Sequence, residues 1–166
     1  MRLYELNYET YRPTAVELRV ESQKVSLFHP FLKGEGRSLK TLFVRGLFWL
    51  QSKGDFRIYY VREDQTGNVI HTSYVTGAGG KFPFMEQGDI HIGPCVTDPR
   101  HRGKGIYRQV LRTVHADNCN HRSRAFMIVH EDNLPSIKGI EAAGLTHAGT
   151  VERQGIRRIY RRVSDD

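Results

Sequence analysis

The sequence predicts one α/β (α+β) domain over residues 1–166, with a mostly antiparallel mixed central sheet flanked by helices. Three observations support this fold class. The length of 166 residues is close to the usual size of one domain, about 150 residues. No linker, repeat or low-complexity tract interrupts the chain. The candidate elements run strands, then strand–helix–strand–helix, then strands, which is typical of one sheet with helices packed on it.

The first half of the chain contains a candidate strand, helix and hairpin. Apolar and polar residues alternate over residues 16–20, which predicts a half-buried strand. Apolar residues at three- and four-residue steps predict a helix over residues 38–51, with Ser38 as N-cap and Gly54 beyond its end. We expect this apolar face to pack into the core, and the alternative is a surface for a partner or an acceptor. Its members are Leu39, Leu42, Phe43, Leu47 and Leu50.

The second half alternates strands and helices. A predicted hairpin at residues 56–75 leads into a glycine-rich loop at residues 77–88. Such a loop is usually a connector, and the alternative, because it contains Phe82 and Phe84, is a lid over a site. The elements predicted after the loop are a strand at 89–97, a helix at 102–117, a strand at 125–129, a helix at 135–143 and a closing hairpin at 145–163.

The charge and the cysteine count restrict the partners and the compartment. A net charge of +7 favours an anionic partner, which a nucleic acid, an acidic surface or a phosphorylated small molecule would provide. The sequence lacks the alternation of basic and aromatic residues that is typical of RNA-binding modules, so we expect no nucleic-acid partner. Two cysteines cannot form a disulfide framework. Without a signal peptide or a membrane span in the sequence, we expect a cytoplasmic protein with no membrane partner.

The segment 93–111, GPCVTDPRHRGKGIYRQVL, predicts an anion-binding site. Gly103 and Gly105 lie at the start of the predicted helix, where each glycine costs about 1 kcal/mol relative to alanine. No acidic residue occurs from Arg100 to His115, although a helix N-terminus favours negative charge. Free amides beside glycines and basic side chains suit a bound anion. The alternative is a plain glycine turn with solvated basic residues.

This segment resembles the acetyl-CoA signature of the GNAT superfamily of N-acetyltransferases, in which a strand precedes [Q/R]-x-x-G-x-[G/A] at the start of a helix. The preferred register begins at Arg102, with Pro99 three residues before it. A register from Arg100 keeps both glycines but puts polar residues where the family has buried aliphatics. Residues 133–145 resemble a second family segment, N-x-x-[A/S]-x-x-x-x-x-x-x-G-[F/L]. The resemblance covers residues 89–145 and implies a GNAT-like fold.

The resemblance implies roles for these residues in binding acetyl-CoA. The backbone of residues 95–97 would bond the pantetheine arm, and amides of residues 103–108 would cradle the pyrophosphate. Asn133 would bond the pantetheine, and Ser136 would pack near the thiol. The implied set is Cys95, Val96, Thr97, Arg102, Gly103, Lys104, Gly105, Ile106, Tyr107, Arg108, Asn133 and Ser136.

Candidate catalytic residues follow from the same resemblance. Many family members have a glutamate as general base eleven residues before the motif, where this chain has His91, whose ordinary pKa of ~6.5 suits a base. Asp89 lies two residues earlier, on the same face of the strand, and is expected to orient His91 or to replace it. The alternative is an ordinary strand histidine. We predict no metal site, because residues 115–121, which include two histidines and a cysteine, fit no common zinc spacing.

Two positions depart from the family pattern. Ile140 lies where many members have a tyrosine that protonates the departing thiolate. Tyr107 replaces a small residue, and its amide remains available if the ring points away from the ligand. The arginines of the last hairpin are expected on a solvated face, with an anionic acceptor as the alternative. They are Arg153, Arg157, Arg158, Arg161 and Arg162.

The function predicted from the sequence is direct transfer of an acetyl group from acetyl-CoA to a primary amine. The amine is expected to be small or linked to a sugar, and a homodimer is a further option. A non-catalytic module that binds acyl-CoA and an acetyltransferase for protein or peptide N-termini are the alternatives.

Overall fold

The computed structural model describes residues 1–26, 28–36, 38–155 and 159–163. These residues form a single mixed sheet and three α-helices. The elements are β1 (Arg2–Asn7), β2 (Glu21–Lys24), α1 (Leu39–Gln51), β3 (Phe56–Arg62), β4 (Val69–Gly77), β5 (Ile90–Thr97), α2 (Ile106–Asn118), β6 (Arg124–Val129), α3 (Leu134–Glu141), β7 (Thr146–Gln154) and β8 (Ile159–Arg162). The strand order is β2-β3-β4-β5-β6-β1-β7-β8. Only β5 and β6 pair in parallel in this part of the chain, which confirms the predicted fold class.

The helices divide between the two faces of the sheet. On one face α2 and α3 pack on the main core, which includes Ile90 and Ile92. Since neighbouring strand residues point to opposite faces, His91 faces away from α2. It contacts Phe82 of the 77–88 loop there, on the face that also carries α1. The predicted hairpins and the last two helices lie within a few residues of their expected positions.

β1 is a central strand that the sequence analysis did not predict. It lies between β6 and β7 in the sheet. Leu3, Tyr4 and Leu6 are all buried. Because both faces of a central strand are covered, its sequence lacks the apolar–polar alternation on which the prediction of a half-buried strand depends.

The prediction of a strand over residues 16–20 is wrong. Burial does alternate along this segment, but the chain forms no ladder there, and β2 begins only at Glu21. The backbone amides of Glu17 and Leu18 both donate to Oε1 of Gln109 on α2, at 3.1 Å. A side chain of the helix thus takes the place of a neighbouring strand.

The helix at residues 38–51 forms as expected, but its packing is the reverse of the expected one. Leu39 is 85% exposed, and Phe43 and Leu50 are each 68% exposed. Arg45 is buried instead, with two hydrogen bonds to Glu35 at 2.6 and 3.0 Å. The aromatic residues on the side of Arg45 pack against β3 and β4. The expectation of a core face was wrong, and the alternative of a surface for a partner or an acceptor still stands.

No α-helix in the described ranges has both the length and the apolar composition needed to cross a bilayer.

Candidate functional site

The strands β5 and β6 separate at the site that the motifs predict. Their parallel pairing comprises only Ile90 with Ala125 and His91 with Phe126. Beyond His91, β5 continues along β4 and β6 continues along β1. The gap between the strands leaves backbone groups of β5 without a partner strand on that side, so they are available to a ligand.

A cleft of about 550 Å³ lies beside this gap, between β5 and the first turns of α2 and α3. All of the sequence-predicted cofactor residues line it except Lys104. Lys104 is exposed in the turn before α2. The cleft is also lined by His101, Pro135 and Gly139, which the sequence analysis did not name.

The turn before α2 has the backbone geometry of an anion site. Gly103 and Gly105 have φ values of 76° and 74°, a left-handed conformation that L side chains rarely adopt. Gly105 is the N-cap of α2, with no side-chain cap and no acidic residue in the first turn. The first amides of the helix therefore have no acceptor within it. Arg102 and Arg108 are exposed beside them.

The same turn explains why α2 begins at Ile106, four residues later than predicted. Residues Pro99–His101 form a 3₁₀ turn, and the left-handed glycines separate it from the helix. Val110 and Leu111 are fully buried, whereas Arg108 is exposed. This burial supports the motif register that begins at Arg102.

The first turn of α3 forms the opposite wall of the cleft. Asn133 is the N-cap, and its Oδ1 accepts a hydrogen bond from the amide of Ser136 at 3.3 Å. The side-chain amide nitrogen of Asn133, which is a donor, makes no hydrogen bond among the described residues and is therefore available to a ligand. Ile140 is 1% exposed and belongs to the main core. Its side chain is aliphatic, so it cannot protonate a group in the cleft.

Tyr107 packs between α2 and α3 and lines the cleft. Its ring lies over Gly139, where an added Cβ would be 2.6 Å from Cδ1 of Tyr107. Tyr107 is also hydrogen-bonded to Cys95, and burial raises the pKa of the Cys95 thiol to about 11. A thiol with this pKa is neutral at pH 7, as expected for a packed cysteine rather than a nucleophile.

A buried histidine supports the end of β5 beneath the cleft. His71 Nδ1 lies 2.7 Å from Oγ1 of Thr97, and its Nε2 lies 2.8 Å from Oγ of Ser73. Burial lowers the pKa of His71 to about 4, so the ring is neutral at pH 7. The sequence analysis missed this network because Thr97 lies on β5, whereas His71 and Ser73 lie on β4.

His91 lies at the point where the strands separate, on the face opposite the cleft helices. It is 8% exposed, and its ring stacks on Phe82 with centroids 4.1 Å apart. Within the described residues Nδ1 of His91 has no hydrogen-bond partner. Burial, with a smaller contribution from the charge of Lys81, lowers the pKa of His91 to about 3. His91 is thus neutral at pH 7, but in this buried position it is a weaker base than its ordinary pKa led us to expect.

Asp89 is held by another residue. Its side chain is buried and accepts hydrogen bonds from Nε and Nη2 of Arg124 at 3.1 and 2.8 Å. Oδ2 also accepts from the amide of Glu86 at 2.8 Å. No hydrogen bond to His91 is found in the described ranges. This geometry gives Asp89 a structural role at the start of β5, not the expected contact with His91.

The remaining candidates are the cluster at residues 115–121 and the arginines of the last hairpin. His115 turns inward and bonds the hydroxyl of Tyr8 at 3.0 Å, and no group of three potential metal ligands occurs among the described residues. Of the hairpin arginines, Arg162 bonds Glu5 at 3.2 Å. Arg153 and Arg161 are exposed. Arg157 and Arg158 lie outside the described residues.

Comparison with known proteins establishes the fold. No protein-family model and no curated protein sequence matches this chain. Among solved structures, a putative GNAT-family acetyltransferase from Novosphingobium aromaticivorans matches with a TM-score of 0.57 and 14% identity, over 89% of this chain and 60% of that one. Glucosamine-6-phosphate N-acetyltransferase from Arabidopsis thaliana matches with a TM-score of 0.55 and 19% identity, over 83% and 99% of the two chains.

A tandem GNAT protein from the clavulanic acid biosynthesis pathway matches with a TM-score of 0.59 and 16% identity, over 88% of this chain. This chain spans 49% of that protein and 60% of the Novosphingobium protein, so it corresponds to only part of each. At these identities the likeness defines the fold class: the chain has the GNAT fold, as the sequence predicted.

Proposed function

We propose that this protein is an N-acetyltransferase of the GNAT type, which uses acetyl-CoA and transfers the acetyl group directly to a primary amine. One observation carries the proposal. The cleft beside the separated strands ends at a helix N-terminus with two left-handed glycines, no cap and no acidic residue. A ligand that is long, narrow and anionic at one end suits such a cleft.

The pyrophosphate, the pantetheine and the acetyl group of acetyl-CoA each suit a different part of the site. The first amides of α2, with Arg102 and Arg108 beside them, would bind the pyrophosphate. The unpaired edge of β5 at residues 95–97 and the side-chain amide of Asn133 would bond the pantetheine. The acetyl end would then lie at the separation of β5 and β6, next to His91.

The transfer requires a neutral amine, because an ammonium group has no lone pair with which to attack a thioester. The acceptor would lose a proton to His91 or to water and then attack the acetyl carbonyl. The new C–N bond would form as the C–S bond breaks, CoA would leave as a thiolate, and the nitrogen would lose its second proton to water. Since the side chain of Ile140 has no acidic proton, Ser136 or water would protonate the thiolate.

The acceptor is proposed to be a small amine or an amine linked to a sugar. One matching structure is by its name a glucosamine-6-phosphate N-acetyltransferase, and the +7 charge of this chain is compatible with a phosphorylated acceptor. We propose a cytoplasmic location, with which two free cysteines are compatible.

A titration followed by a turnover assay tests the function. We expect acetyl-CoA to bind in calorimetry with a dissociation constant in the micromolar range. We then expect free thiol to appear when alkylamines or amino sugars are added. Thiol release only with peptides would favour an N-terminal acetyltransferase, and binding without release for any amine would favour the non-catalytic module. Absence of acetyl-CoA binding would refute all three.

The exposed apolar face of α1 supports the homodimer. Phe28 and Leu42 border a common surface cavity, so the face extends beyond the helix. Phe28 is 90% exposed, and Gly46 has open space where a side chain would lie. Leu39, Phe43 and Leu50 on this face are each at least 68% exposed, and a stable interface, which buries ~800 Å² on each partner, has an apolar centre of this kind. We propose that two copies pair through this face.

We expect the protein to sediment as a dimer at micromolar concentration and Phe43→Glu to sediment as a monomer, because it would bury unpaired charge at the contact. Sedimentation velocity measures this. Gln65→Glu, at an exposed position in the turn between β3 and β4, makes the same charge change and should leave the dimer intact. A wild-type monomer at all concentrations would contradict the proposal.

A further inference from the structure

Three aromatic rings surround the ammonium group of Lys81. Nζ lies 5.6 Å from the ring centroids of Phe48 and Phe82, and 5.5 Å from that of Tyr160. The rings come from α1, the 77–88 loop and β8, so only the folded chain brings them together. Each ring lies within the distance at which its face attracts a cation. We call these three rings the ring box.

The ring box is joined to His91 by direct ring stacking. Phe82 stacks on His91 with centroids 4.1 Å apart, and on Tyr160 with centroids 5.5 Å apart. The charge of Lys81 also contributes to the lowered pKa of His91, so the two groups are within electrostatic reach. The ring box therefore adjoins the end of the gap between β5 and β6 that lies opposite the cofactor cleft.

Lys81 nearly fills the space between the rings. The crevice that remains beside it, lined in part by Phe48 and Phe82, has a volume of about 10 Å³. This is room for one water molecule at most. The backbone oxygen of Lys81 accepts a hydrogen bond from the amide of Tyr160 at 2.9 Å, which ties the loop to β8. A second ammonium group can enter only if the Lys81 side chain leaves.

We propose that the ring box binds the ammonium group of the acceptor, that the acceptor is a primary alkylammonium compound, and that Lys81 occupies the box until the acceptor displaces it. The inference rests on the proposed function, whose acceptor class it narrows. An ammonium group on a flexible alkyl chain has the shape and charge of the lysine side chain that the rings hold.

Binding of n-butylamine, which reproduces the lysine side chain, tests the ring box without acetyl-CoA. In Lys81→Ala the box is empty, and we expect n-butylamine to bind at least ten times more tightly than in the wild type, as followed by the NMR signals of the aromatic rings. Lys81→Met fills the box without charge and should show no such gain. n-Butanol, the uncharged analogue, should bind no more tightly to Lys81→Ala than to the wild type. Adding Phe48→Leu to Lys81→Ala should remove most of the gain.

Equal binding of n-butylamine by wild type and Lys81→Ala would overturn the ring box, and so would equal gains for the amine and the alcohol. The proposed function is tested separately, by acetyl-CoA binding and thiol release. If the wild type binds acetyl-CoA but releases no thiol with any amine, while Lys81→Ala binds n-butylamine, the proposed function fails and the ammonium site stands. If thiol is released with other amines while n-butylamine does not bind, the ring box fails and the function stands.

Discussion

Gly105→Asp is expected to weaken acetyl-CoA binding at least 100-fold. The new carboxylate would lie at the N-cap of α2, where the proposed pyrophosphate binds. Two like charges in direct contact repel, and a capping carboxylate also takes amides that the phosphate needs. Calorimetric titration of the folded variant with acetyl-CoA measures the effect.

Gly105→Asn is the matched control for backbone conformation. Asparagine has the size of aspartate and tolerates the left-handed φ of 74° at this position, but it is neutral. An added Cβ would meet only Nη2 of Arg108, at 3.8 Å. We expect the asparagine variant to bind at least ten times more tightly than the aspartate variant. If the aspartate variant keeps the wild-type affinity, the anion-binding role of this turn is refuted.

His91→Ala is expected to lower kcat/KM by about 100- to 10,000-fold, the usual contribution of a positioned general base. Affinity for acetyl-CoA should barely change, because the residues of the cofactor cleft do not include His91. Because burial lowers the pKa of His91 to about 3, the neutral form is present above that pH. The acidic limb of kcat/KM in the wild type is therefore expected well below pH 6.5, and it should be lost in the variant.

Two further variants separate catalysis from packing. His91→Phe keeps a ring stacked on Phe82 but has no nitrogen, so its rate should fall as far as that of His91→Ala. Asp89→Asn should lower the free energy of unfolding, because Arg124 loses its buried ionic partner. It should leave the pH profile unchanged. Wild-type activity in His91→Phe would make His91 a packing residue.

The region from β5 to α3 was predictable from local sequence patterns. The glycines at 103 and 105, the absence of a cap and the buried pair Val110 and Leu111 are recognisable without tertiary contacts. Each depends on the backbone conformation of a few neighbouring residues or on helical periodicity, both of which are local. For this reason all but one of the predicted cofactor residues line one cleft.

Local sequence patterns do not predict packing where a residue is buried by residues that are distant in the sequence. The periodicity of α1 identifies a helix and an apolar face, but it does not show which face meets the sheet. Phe48 stacks on Phe56 at 5.7 Å, and the ion pair with Glu35 satisfies Arg45, so the leucines are left outside. β1 was missed because both of its faces are covered by segments that are distant in the sequence.

The environment of His91 depends on contacts between residues that are distant in the sequence. The position of His91 was predicted, but its lowered pKa results from Phe82 stacking over it and from the nearby charge of Lys81. The predicted partner Asp89 is taken by Arg124 instead. The ring box joins α1, a loop and β8, and no spacing in the sequence relates them. A pKa and a cation site depend on solvent exclusion and on the fields of groups distant in sequence, which the fold alone brings together.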